Sequence, residues 1–207
     1  MKLNGIIDSV KLCIDEAGVS DYTNRYIDEV ILNAIRPTLS WCARNAPIEM
    51  LTMSGSPFVE DYSGFEISGF EPWVIPLPAD FIRLVRLYRT GWAKSISTLV
   101  EEDSDESLMQ HDTMAFGVPD RPVAILRRTK TLKICGWDGS DETPEADHIE
   151  ITYIKTPSID DVSSLSDFEI PSELEGAFVY HVAYLTLVAF GDERATSMYN
   201  VAANFLK

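Results

Sequence analysis

Apolar residues recur at Leu3, Ile6, Ile7, Val10, Cys13, Ile14 and Ala17, a three-or-four spacing that predicts an amphipathic helix ended by Gly18. Ser20 or Asp21 can cap a second helix, in which Tyr22, Tyr26, Ile27, Val30, Ile31, Ala34 and Ile35 keep the helical period. Pro37 breaks or kinks that helix, because a proline lacks the N–H of the ladder and its ring crowds the preceding turn. Thr38 to Ala46 continues helical until Pro47. From Leu174 the chain carries Phe178, Tyr180, Val182, Tyr184, Leu185, Leu187, Val188 and Phe190, apolar on nearly every side, which predicts a central helix. Ser172 and Glu175 have the spacing of a capping box at its start, and Gly191 supplies a left-handed cap at its end. A last helix is read over Asp192 to Phe205, with Ala195, Met198, Tyr199, Ala202 and Phe205 on one side.

Between Ile48 and about Ile154 the texture changes to short apolar runs separated by Gly, Pro, Ser and Asp, the pattern of strands and loops. The predicted strands are Trp73 to Leu77, Arg83 to Tyr88, Val123 to Leu126, Leu132 to Trp137 and His148 to Ile154. The last places Ile149, Ile151 and Tyr153 on one face. Arg127 to Thr131 reads as a hairpin turn, Asp138 to Asp147 as an exposed loop, and Ser54 to Phe70 as a long loop bearing Phe58, Tyr62, Phe65 and Phe70. The expected fold class is α+β: a helical bundle built from both chain ends, residues 1–47 and 158–207, with a β-rich insertion over 48–157.

Composition narrows the function. The formal charge is −16, with 17 basic residues against 33 acidic ones, which argues against a protein that grips nucleic acid through its phosphates. Five carboxylates fall within Glu101-Glu102-Asp103-Ser104-Asp105-Glu106, a run read as a solvated loop or as acids placed to favour a helix N-terminus. Cys13, Cys42 and Cys135 are scattered and odd in number, the pattern of free thiols. The N-terminus lacks a basic segment followed by an apolar run, which predicts folding in a cytoplasm. The apolar helix is interrupted by His181 and Thr186 and is too short to span a bilayer, so no membrane role is expected.

Concentrated chemistry is missing from the pattern. There is no GxSxG elbow, no GxxxxGK[ST] loop, no GxGxxG turn and no HExxH pair. His111, His148 and His181 lie far apart, and neither Asp138-Gly139-Ser140-Asp141 nor the 101–106 run has the alternating ligands of an EF-hand loop. The sequence therefore predicts no catalytic residues, no metal and no cofactor.

Four pieces in fixed order carry a family resemblance. They are the opening helix to Gly18; Asp21 to Ala34 with its Ile27-Asp28-Glu29-Val30-Ile31-Leu32-Asn33-Ala34 core; Leu77-Pro78-Ala79-Asp80-Phe81-Ile82-Arg83-Leu84; and Tyr153 to Pro157 followed by Ile170-Pro171-Ser172-Glu173-Leu174. Together they span almost the whole chain, which resembles the head-to-tail adaptor or connector ring proteins of tailed bacteriophages, particularly short-tailed and crAss-like phages.

The resemblance implies a structural virion protein, not an enzyme, assembled in the host cytoplasm into a homo-oligomeric ring of about twelve subunits beneath the portal. Its partners would be the portal protein and further tail or ring proteins, with double-stranded DNA passing non-specifically through the channel. Phe58, Phe65, Phe70, Phe205 and Leu206 are the candidate partner contacts. Glu101, Glu102, Asp103, Asp105 and Glu106 are either an acidic channel wall or a solvated loop. Competing readings are another tail-completion or stopper protein, a small enzyme with an unrecognised acidic site, and a cytosolic interaction protein.

Overall fold

A computed structural model describes residues 3–15, 21–53, 55–63, 74–110, 117–136, 149–157 and 169–207. The chain is α+β. It divides into two compact units, one comprising residues 1–59 and 156–207, the other residues 60–155.

The first unit contains α1 (Leu3–Cys13), α2 (Asp21–Asn45), α3 (Ile48–Leu51), α5 (Glu175–Phe190) and α6 (Ala195–Asn204). Helix α5 packs against α6, α2 and α1, as its all-round apolar surface requires. Ile6, Val10 and Ile14 from the first helical segment, Ile27, Ile31, Ile35 and Leu39 from α2, and Phe178, Val182 and Leu187 from α5 form buried positions of this unit. Burying that apolar surface is the main favourable term in folding. Helix α2 runs through Pro37 without a break. The Thr38 hydroxyl donates to the Ala34 carbonyl at 2.8 Å, adding a side-chain bond to the ladder one residue after the missing N–H.

Both ends of α5 are informative. The expected capping box is replaced by a 3₁₀ turn, Ser172–Leu174, and the Ser172 hydroxyl donates to the neighbouring Glu173 carboxylate at 2.9 Å. Pro171 fixes the backbone before the turn, and the Leu174 N–H donates to the Pro171 carbonyl at 3.0 Å, so a tighter turn starts the helix instead. At the other end Gly191 adopts φ 70° and ψ 26°. Its N–H reaches the Val188 carbonyl at 3.1 Å and that of Asp192 reaches Leu187 at 3.0 Å, the paired bonds of a Schellman cap.

The second unit contains two sheets. One has the order β1 (Val59–Ser63), β7 (Ile149–Lys155), β3 (Phe81–Arg89), with β3 and β7 antiparallel from Phe81↔Lys155 to Arg89↔Ile149. The other has the order β2 (Val74–Pro76), β6 (Thr131–Cys135), β5 (Val123–Leu126), β4 (Val100–Glu101), where only β4 and β5 run parallel. Helix α4 (Asp105–Met109) follows β4. Pro76 sits on an edge strand, where the lack of an N–H is tolerated. A core of Ile75, Leu84, Leu87, Trp92, Ala124, Leu132, Ile134, Ile149, Ile151 and Tyr153 fills this unit.

Most predicted strands lie within two or three residues of the observed ones. Trp73, Trp137 and His148, at the predicted strand ends, lie outside the described residues. Ile149, Ile151 and Tyr153 do share a buried face, and Ile154 is buried too. The Arg127 to Thr131 turn forms as expected: Lys130, at φ 56°, donates its N–H to Arg127, and Arg127 donates to Thr131. Strands β1 and β4 lie outside the strands that the pattern predicts.

Candidate functional site

The predicted contact residues divide three ways. Phe58 is a correction: it is fully buried, one of the largest completely enclosed side chains in the molecule, and therefore part of the first unit's core. Phe65 and Phe70 lie outside the described residues, as do His111 and the Asp138 to Asp147 loop. Phe205 and Leu206 close the chain after α6, Phe205 being 47% exposed and Leu206 half-buried.

The exposed face of Phe205 is only half the story. Its ring stacks on Tyr180 with centroids 5.7 Å apart and planes 21° from parallel. Gly176, one turn before Tyr180, makes room for it, since a Cβ there would lie 2.7 Å from the ring edge. Phe205 is thus held in place by α5 while presenting its other face outward, an arrangement that lowers the entropy lost when a second surface covers it.

The acidic run is built into a turn rather than left as a loose loop. The Ser104 side chain accepts from the Ser107 N–H at 3.2 Å, capping α4, and its hydroxyl donates to the Glu101 carbonyl at 2.8 Å. Asp105 and Glu106 occupy the first turn of α4, where carboxylates oppose the positive end of the helix dipole. Glu102 and Asp103 hold the hairpin that follows β5: the Arg128 N–H donates to Glu102 Oε2 at 3.0 Å, and the Arg128 guanidinium pairs with Asp103. The guanidinium's hydrogen bond to Asp103 and the charge of that carboxylate raise its pKa further above the ordinary value. All five carboxylates remain exposed.

Sequence reasoning missed a surface on the first unit. Tyr26 is 59% exposed, Val188 51%, Phe190 44% and Tyr199 40%. Tyr26 and Phe190 meet edge to face at 5.8 Å. Beside them runs a shallow groove lined by Val30, Ala34, Pro37, Leu185 and Ala189, all apolar, with Asn33. The signal was present: a helix apolar on every side, packed against only some of its neighbours, leaves apolar side chains in water. The slot between Ile14, Ile27 and Leu187 is also lined by Asp192 and Arg194, whose hydrogen-bonded pairing holds the Asp192 carboxyl down to about 2.

Candidate chemistry is sparse. His181 is a buried core histidine, and among the described residues no cluster of His, Cys, Asp and Glu could hold a metal ion. All three cysteines are free; burial pushes the Cys42 thiol up to about 12, so it stays protonated and inert. In the second unit Tyr153 donates to Asp80 at 2.9 Å, and burial together with that acceptor raises its pKa. Lys155 pairs with Glu60. These contacts fasten β7 to its surroundings. No helix among the described residues is long and apolar enough to cross a membrane. No family model matches the chain, and no curated protein matches it.

Proposed function

We propose that this chain is a structural subunit of a tailed-phage connector, a helical bundle drawn from both chain ends with a β-rich insertion. It would assemble as a ring that joins the portal to the tail, lines the DNA channel and works by assembly rather than catalysis. The observation that carries this reading is the set of large apolar side chains on the surface of the first unit: Tyr26, Val188 and Phe190 beside an apolar groove, and Tyr199 and Phe205 on and after α6. Exposed apolar surface of this kind marks contact with another protein. The fixed order of the four sequence pieces supports the particular assembly.

Charge supports the channel role. The chain carries 33 acidic residues against 17 basic ones, a formal charge of −16. Repeated around a ring, that excess would present a wall to which phosphate does not adhere, and DNA could slide past it.

Mass photometry of the purified chain, alone and mixed with the portal protein encoded near it, tests the reading. A monomer that adds to the portal ring as a complete ring is the expected outcome and gives the copy number. A portal ring whose mass is unchanged by the chain overturns direct portal docking, and binding only to a more distal tail component moves the chain to a stopper role.

A further inference from the structure

Inside the first unit, beneath Tyr199 of the apolar surface, a polar pair joins α2 to α5. Thr38 Oγ1 and His181 Nδ1 lie 3.0 Å apart, both residues buried. The threonine hydroxyl has a single proton, and it is committed to the Ala34 carbonyl at 2.8 Å. Towards His181 it therefore acts as acceptor, which places the ring proton of the neutral imidazole on Nδ1 and leaves Nε2 to take any second proton. The ring stacks on Trp41 of α2 at 4.1 Å and 16°, and it meets Tyr184 of α5 at 5.4 Å and Tyr199 of α6 at 6.1 Å. From α1 the titratable side chain turned to α5 is Cys13, which engages Tyr180. Among the described residues, the imidazole is in contact with the Thr38 hydroxyl and the rings of Trp41, Tyr184 and Tyr199.

We propose that the Thr38–His181 pair is an acid-releasable clasp between α2 and α5, so that mild acid opens the helical unit while the β-rich unit keeps its structure. A proton on Nε2 would create a cation enclosed by aromatic faces, next to a helix whose ladder is one bond short at Pro37. Separation of α5 from α2 would open the imidazolium to water. Burial accordingly holds the His181 pKa down at about 4, against an ordinary value of 6.5. The folded state therefore binds fewer protons than the unfolded state between those values. The stabilisation is complete above pH 6.5, is lost as pH falls towards 4, and levels off below that. Within this window the opening equilibrium gains close to a factor of about ten per pH unit. Attraction of the cation to the Trp41 face opposes the effect and sets its lower limit.

The test is hydrogen exchange of the full-length chain read by mass spectrometry at several pH values from 7 to 4.5, corrected for the intrinsic pH dependence of exchange, beside an NMR titration of the histidine ring signals. The proposal predicts that protection over α2 and α5 falls about tenfold per unit below pH 6.5 while β3 and β7 hold theirs. It also predicts that His181 stays neutral in the folded signal at pH 5. His181→Gln, which keeps an N–H donor without a titrating ring, should remove the selective loss. Should that variant fail to fold, the wild-type titration still decides. A His181 that titrates near pH 6.5 with α2 and α5 still protected overturns the proposal, as does equal loss from both units.

Discussion

The two units bury their cores alike but finish their surfaces differently. In the β-rich unit, polar side chains tie off turns and strand ends: Arg128 to Glu102 and Asp103, Tyr153 to Asp80, Lys155 to Glu60, and the Trp92 indole to the Gly136 carbonyl at 3.0 Å. Its described residues include as many acidic as basic side chains, ten of each. The helical unit is tied too, Lys11 to Asp28 and Arg194 to Asp192, and both units leave large apolar side chains exposed: Leu12, Tyr26, Met53, Val188, Phe190, Tyr199 and Phe205 in the helical one, Tyr62, Leu108, Met109 and Val118 in the β-rich one. The difference is one of kind: four of the helical unit's exposed residues are aromatic, with Tyr26 against Phe190, and only Tyr62 is aromatic in the other set, so the helical unit offers the larger ring surface for a second protein to cover.

Substitutions can break or sharpen this contrast. The largest effect is expected from Phe58→Ala, which empties a fully enclosed site and should cost about 3–5 kcal/mol in urea denaturation followed by far-UV circular dichroism. A change near zero would contradict the enclosure of Phe58 in the core. Next comes Trp92→Phe, which strands the Gly136 carbonyl and should cost about 1–3 kcal/mol, seen as a lower melting temperature of the β-rich unit.

Phe205→Ala should cost only about 1 kcal/mol in the isolated chain, because half of the ring is already in water, yet it should weaken partner binding measurably. A drop in chain stability with unchanged binding would make Phe205 an internal packing residue alone. The smallest effect is expected from Arg128→Ala: its ion pair is fully exposed, and screening should leave a thermal melt in physiological salt close to that of the parent.

How far the fold could be read from the sequence follows from which forces are local. Helix α2, helix α5, strand β5 and the Arg127 to Thr131 turn were legible because period, cap and turn chemistry act within a few residues. Strand β1, Val59-Glu60-Asp61-Tyr62-Ser63, looks polar and loop-like, and is a strand because it lies beside β7, some ninety positions later. Phe58 seemed exposed because its neighbours are Ser, Gly and Pro, but flanking composition does not report tertiary burial. The acidic run acquired its role from Arg128, a partner 25 or 26 residues away that no local pattern reveals.

The same distinction applies to the candidate site. Phe205 and Leu206 could be nominated only through the resemblance, which implies docking by terminal segments or loops. The surface around Tyr26, Val188 and Phe190 required knowing which face of α5 its neighbours leave open.

The central claim is that this open face exists to be covered by another protein. It is tested most directly by mass photometry of the portal ring mixed with the parent chain and with Val188→Glu, a substitution on an exposed position that should leave the melting temperature nearly unchanged. The account predicts a complete ring on the portal from the parent and a loss of at least tenfold in affinity from the variant. Full, equally tight rings from both would contradict it.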